Sequence, residues 1–291
     1  MSFTVTGRGF LGALRAELLK TAKRWSPWVL LIVEAVILLG LGYLFVWFIY
    51  THPPSGSQIR GNPTTLKAAL YPGGFASKAV GGSGLASVFA LLLGVLLMGN
   101  EYGSATLKTL FTLRPARLET LAAKFASIVI AVAVGVLGVF LIAALASILF
   151  AAIDGQPLNN WPNVGQIVEG LLSAWLVWSW WAIFGATLSI LFQQTALAIG
   201  IGLAYSLVIE DLLLNIAASV GGTFFKTLRE YFPGANASAI KNAVPVVGQH
   251  GISATTTTAA IGAGQGTIVL LLYCVAALVV SGIVIVRRDV S

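Results

Sequence analysis

Apolar residues in this chain gather into long unbroken runs, and polar residues collect in the gaps between them. Six runs stand out: 28–50, 83–99, 121–150, 167–191, 196–220 and 267–286. Most hold about twenty residues, enough for a helix to cross a hydrocarbon core of about 30 Å. The pattern predicts an all-α, polytopic membrane protein with six transmembrane helices, built as one membrane domain over 1–291. The stretch 8–25 differs. Leu11, Leu14, Leu18, Ala22 and Trp25 recur at helical spacing, with Arg8, Arg15, Lys20, Lys23 and Arg24 among them. That spacing predicts an amphipathic helix lying along the membrane interface.

The gaps carry their own signals. Residues 51–82 hold Pro53, Pro54, Pro63 and Pro72 with several Gly and Ser, and read as an external loop with little regular structure. Residues 100–118 are polar and basic. Within them Leu107, Leu110, Phe111 and Leu113 alternate at helical spacing with Lys108, Arg114 and Arg117. The run that follows is longer than a bilayer needs, so it should tilt or project. Ala131 and Gly135 in it have the small-xxx-small spacing of close helix contacts. Gln193-Gln194-Thr195 reads as a tight turn. The fifth run meets Glu210 and Asp211 after only about fourteen residues, too few to cross. Either the acidic pair lies in the membrane, or the helix breaks there and the chain re-enters. Residues 221–266 read as external and mixed, with a glycosylation sequon by pattern at Asn236.

Charge changes the picture by its placement. The chain is 57% hydrophobic and 9% charged, with a net charge of +7. Eleven of the seventeen Lys and Arg residues fall in the N-terminal segment, in 100–124 and in the C-terminal tail. All three segments lie on one side of a six-span chain, which places both termini in the cytoplasm of a multi-pass cell-membrane protein. These are orientation signals, so the basic balance argues against nucleic acid as a partner. The N-terminal segment lacks a cleavage site and reads as leading into an uncleaved first span. The single cysteine, Cys274, lies inside the last run and permits no internal disulfide. The wealth of Ala and Gly fits a GC-rich bacterial genome.

Candidate chemistry is sparse. Gly7, Gly9 and Gly12 match G-x-G-x-x-G, but no strand precedes them. No phosphate loop, H-E-x-x-H or paired cysteines occur, so no catalytic, cofactor or metal site is expected on the chain. His52 and His250 stand alone. Glu34 sits some two turns inside the first span, where a carboxylate is costly. It is either a structural hydrogen bond or snorkelling group, or part of a substrate pathway. Trp175, Trp178 and Trp181 read as one face of the fourth span, either packing or forming an aromatic wall for a hydrophobic or cationic substrate. Glu210 and Asp211 are candidates for a gate. Gly81-Gly82-Ser83-Gly84 matches the G-x-S-G pattern around the serine of rhomboid intramembrane proteases, against the plainer reading of a flexible entry to the second span.

Asn100-Glu101-Tyr102, Thr106, Arg114-Pro115-Ala116-Arg117 and Lys124 resemble the membrane subunits of type-2 ATP-binding-cassette exporters. The six runs, the basic amphipathic N-terminal helix and the terminal Arg287-Arg288-Asp289 extend the resemblance over nearly the whole chain. Ala105 and Ala116 depart from it, standing where Gly and Ser are usual. The resemblance implies a permease subunit of an exporter for a hydrophobic or amphipathic substrate. Two such subunits, identical or related, would pair with two cytoplasmic ATPase subunits, which carry ATP and Mg. It implies a cytoplasmic coupling helix between spans two and three, in which Glu101, Thr106, Leu107, Lys108, Leu110, Phe111, Arg114, Pro115 and Arg117 meet the ATPase. It also implies a re-entrant external gate after span five. The alternatives are a non-transporting component that relays ATPase motion to an external partner, or an intramembrane protease built on Ser83.

Overall fold

The computed structural model describes residues 7–52, 69–82, 85–103, 117–213, 216, 222–244, 246 and 261–287. Among them all regular structure is helical. Helix α1 (Gly7–Lys23) is the amphipathic segment. The chain turns at Arg24, whose backbone is extended, into α2 (Trp25–Thr51). Pro27 fits the first turn of α2 because its missing N–H would have no intrahelical partner there. The Trp28 indole donates to Ala22 O at 3.0 Å and ties the corner. Within α2, Leu38–Leu44 widens to a π-helix. Lys78 Nζ donates to Gly42 O in this stretch at 3.0 Å.

Residues 69–82 depart from the expected open loop. A 3₁₀ turn at Pro72–Gly74 leads into helix α3 (Phe75–Gly81), in which Phe75, Ala76, Ala79 and Val80 are buried. Four apolar residues at helical spacing give this short helix a core-facing side that the proline-rich composition around it masks. It meets α4 (Ala86–Gly103) at a bend of 46°. Gly82 makes the bend with φ 59° and ψ −148°, a conformation open to glycine. An added Cβ would stand 2.7 Å from Glu34 Oε1.

Helix α5 (Arg117–Ile153) has 37 residues and rises about 55 Å, well beyond a hydrocarbon core of about 30 Å. Helix α6 (Val164–Phe192) opens with a capping box between Asn163 and Gln166. It closes at Gln193, which takes the left-handed conformation (φ 53°) in the expected tight turn. Helix α7 (Thr195–Leu203) continues as a π-helix over Ala204–Leu213. Two short helices, α8 (Gly222–Glu230) and α9 (Pro233–Ala243), lie in the segment expected to be mixed. Helix α10 (Ala263–Arg287) ends the described chain.

Four of these helices, α2, α5, α6 and α10, are long and apolar enough to cross a membrane, and the bent pair α3–α4 makes a fifth if it counts as one span. The architecture is that of an all-helical, multi-pass membrane protein. Helix α6 is its axis: 72% of its apolar window is buried within the protein, against 17% to 33% for α2, α5 and α10. The latter three turn Ile32, Val36, Leu141, Leu145, Leu272 and Val275 outward, where hydrocarbon replaces water.

Small residues set the closest packing. Gly94 of α4 lies against the Ala182 carbonyl of α6, and Gly185 of α6 lies against the Leu91 carbonyl of α4. Close backbone approach of this kind holds helices together in lipid, where apolar side chains gain little from leaving the solvent. Ala131 and Gly135 do not serve this purpose. A Cβ on Gly135 would meet nothing within 4 Å, and both residues line a cavity instead. On the far end of the bundle, Asp154 accepts from Trp47 Nε1 at 3.0 Å and from Tyr71 Oη at 2.9 Å. Burial and the Asp154 carboxylate push the Tyr71 hydroxyl above its ordinary pKa, so it remains a donor.

Candidate functional site

The polar groups that a membrane makes costly fall into three places. The first is a cavity of about 170 Å³ under the α1–α2 corner. Leu18 and Ala22 of α1, Leu31 and Glu34 of α2, Phe89 and Leu93 of α4, Ile130 and Val134 of α5, and Trp178 of α6 line it. Glu34 is 2% exposed and sits about 13 Å along α2 from Trp25 by helix rise. It also interacts within the protein. Trp178 is buried, and its indole N–H has no acceptor among the described residues. Glu34 and Trp178, singled out separately from the sequence, meet here.

The tryptophan face does not hold together. Trp178 lies at the cavity. Trp175 is 40% exposed and donates from Nε1 to Val129 O on α5 at 3.1 Å. Trp181 turns toward α7, against Phe184 and Tyr205. The reason is geometric. At 100° per residue, positions three apart stay near one another, but positions six apart diverge by about 120°. Trp180, which the spacing had left aside, joins Phe184 and Tyr273 in an aromatic cluster at 5.4 and 5.3 Å between ring centres.

Glu210 lies at the second place. It is buried on the π-helical continuation of α7, and its Oε1 accepts from Tyr205 Oη at 2.9 Å and from Gly234 N at 3.0 Å. The helix does not break at Glu210 as one sequence reading had it. It widens, which brings Tyr205 and Glu210, five residues apart, onto one side. A Cβ on Gly234 would overlap the Glu210 carboxylate, so a larger residue where α9 begins would force that carboxylate to move. Asn236 is fully buried, its Nδ2 donating to Glu230 O and Phe232 O, which removes the sequon from reach. The backbone of Asp211 continues the π-helix, while its side chain lies outside the described residues.

This geometry makes Glu210 the latch that holds the start of α9 on α7. Glu210→Ala is expected to cost about 1–2 kcal/mol, because it takes the acceptor from a part-buried N–H and a part-buried hydroxyl. Glu210→Gln, which keeps an acceptor oxygen, should cost less than half of that. Thermal unfolding of the two variants, with protease nicking between α8 and α9 as the local readout, checks this. Equal melting of Glu210→Ala and the parent would contradict it.

The third place is the base of α5. Glu17 of α1 is flanked by Lys124 Nζ at 3.3 Å and Lys20 Nζ at 2.9 Å, and both Glu17 and Lys124 are buried. The pair docks α1 on the foot of the longest helix. On another flank of α5, a wider cavity of about 530 Å³ is lined by apolar residues alone, among them Leu121, Phe125, Ile183 and Leu278.

Of the coupling residues, Thr106, Leu107, Lys108, Leu110, Phe111, Arg114 and Pro115 lie outside the described residues, as does Ser83. Glu101 lies in the last turn of α4 and Arg117 begins α5, so the polar segment starts and finishes as helix; their side chains lie outside the description. Sequence reasoning missed Glu17, Tyr205, Gly234 and the close α4–α6 contact in which Gly94 meets Ala182 and Gly185 meets Leu91. The small residues Ala182, Gly185 and Ala186 in α6 were the available signal for that contact.

The family model described as a protein of unknown function (DUF2705) matches residues 63–291. The matched part runs from before α3 to the C-terminus and leaves out α1 and α2, which supply Glu17 and Glu34. No curated protein matches the chain.

Proposed function

The chain belongs to the DUF2705 family, and we propose that it is the permease subunit of an ATP-driven exporter of the type-2 ATP-binding-cassette class. On this reading α2, the α3–α4 pair, α5, α6, α7 and α10 are its six crossings of the cell membrane. Both termini are cytoplasmic, and a second permease subunit and two ATPase subunits complete the assembly. ATP and Mg are held by the ATPases. The segment 100–118 is the coupling helix, with Leu107, Leu110 and Phe111 as apolar anchors and Lys108, Arg114 and Arg117 pairing with acidic groups.

One observation supports this reading above the others. In sequence the basic segment leads directly into α5, a helix of 37 residues whose base is fixed to α1 through Glu17 and Lys124. A push at Arg114–Arg117 would reach a stiff lever rather than a loose loop. The cavity at Glu34 and Trp178 favours substrate handling over a relay function alone.

The double charge reversal of Arg114 and Arg117 to Glu tests the coupling role. Reconstituted with its ATPase, the variant should lose coupled hydrolysis by about tenfold or more, since central interface cations each contribute at least about 1 kcal/mol. Retention of full coupling would remove the coupling-helix assignment.

A further inference from the structure

The cavity beneath the α1–α2 corner combines features that single out one chemistry. Among the described residues its walls are apolar or aromatic apart from Thr21 and Glu34, and Glu34 is the ionisable side chain that lines it. Trp178 is 5% exposed and presents an aromatic ring beside that carboxylate. The rim is formed by exposed Ala22, Trp28, Ile130 and Val134, so the opening meets hydrocarbon rather than water. A volume of about 170 Å³ holds one ring with a short chain, given that a cavity of about 150 Å³ accepts benzene.

From these features we infer that the cavity is a binding site for a hydrophobic monocation, a primary amine carried on an aryl or alkyl body. The ammonium would donate to Glu34 and lie against the Trp178 ring, while the body fills the space between Leu31, Phe89 and Leu93. Anions are disfavoured by the carboxylate. A zwitterionic lipid headgroup is disfavoured as well, because no Lys or Arg among the described residues lines the cavity to receive its phosphate. The ligand enters laterally from the leaflet in which α1 lies. Binding is a property of this chain alone and does not depend on an ATPase partner, so its failure and that of the exporter reading are distinguishable.

The test uses the purified full chain in phosphatidylcholine nanodiscs, titrated with 4-phenylbutylamine and its neutral counterpart 4-phenylbutan-1-ol. Calorimetry and tryptophan fluorescence are the readouts. The amine is expected to bind about tenfold or more tightly than the alcohol, the advantage of one charge-assisted hydrogen bond. Glu34→Gln should abolish that preference. Gly135→Leu should occlude the cavity and block both ligands while leaving Glu34 intact; a Cβ at this site meets nothing within 4 Å, and Leu favours the helix. Equal affinity for amine and alcohol, or a preference that survives both variants, would overturn the proposal. Competition by phosphatidylethanolamine at matched concentration would overturn the free amine as ligand and assign the site to a lipid headgroup.

Discussion

Gly94→Val is expected to destabilise the chain by at least about 3 kcal/mol, lowering its melting temperature by roughly 6–12 °C. The cause is backbone against backbone. A Cβ at position 94 would stand 2.7 Å from the Ala182 carbonyl carbon and 2.9 Å from its Cα, on top of the overlap with the carbonyl oxygen. No side chain at that contact can swing away. The reciprocal contact, Gly185 against Leu91, prevents the two helices from sliding to relieve it. Even Gly94→Ala should lower the melting temperature, despite the better helix propensity of alanine. Gly135→Ala, in the same protein and also mid-helix, should be neutral or stabilising. Detergent-solubilised thermal unfolding of the three variants checks this, and a Gly94→Ala that melts with the parent would contradict it.

Glu17→Ala should release α1 from the foot of α5. The substitution takes from Lys124, 4% exposed, the carboxylate 3.3 Å away. Removing one partner of a buried pair costs about 3–5 kcal/mol, more than the pair itself contributes. Lys124→Met should cost less, because it removes the buried charge itself and leaves Glu17 with Lys20 at 2.9 Å. Combining Glu17→Leu with Lys124→Met should recover most of the loss, since both sites then suit an apolar contact. Hydrogen exchange in α1 reads the docking directly. Strong protection of α1 in Glu17→Ala would contradict the clamp.

The long apolar runs made the membrane class and the all-helical fold legible, because a bilayer leaves a chain few alternatives. Helix α1, the over-long α5, and the turn at Gln193 were legible for similar local reasons. Helix α3 was hidden because proline and glycine around it outweigh four buried apolar residues. The π-helices at Leu38–Leu44 and Ala204–Leu213 were hidden because their register depends on tertiary partners, Lys78 in one case and Gly234 in the other. Glu34 and Trp178 were each conspicuous as costly or bulky residues. Their meeting was not legible, since α2 and α6 are far apart in sequence. Trp175 and Trp181 were grouped with Trp178 by a spacing that holds for one step and fails over two. Glu17 was missed because its partner, Lys124 on α5, lies far from it in sequence.

Purification of the intact chain from its native membrane, with identification of the proteins that accompany it, tests the central reading most directly. The exporter account predicts a stoichiometric cytoplasmic ATPase subunit that remains bound in mild detergent and is lost when Arg114 and Arg117 are both changed to Glu. A chain that is recovered folded, with α1 docked, and with no ATPase at any stoichiometry would contradict that account.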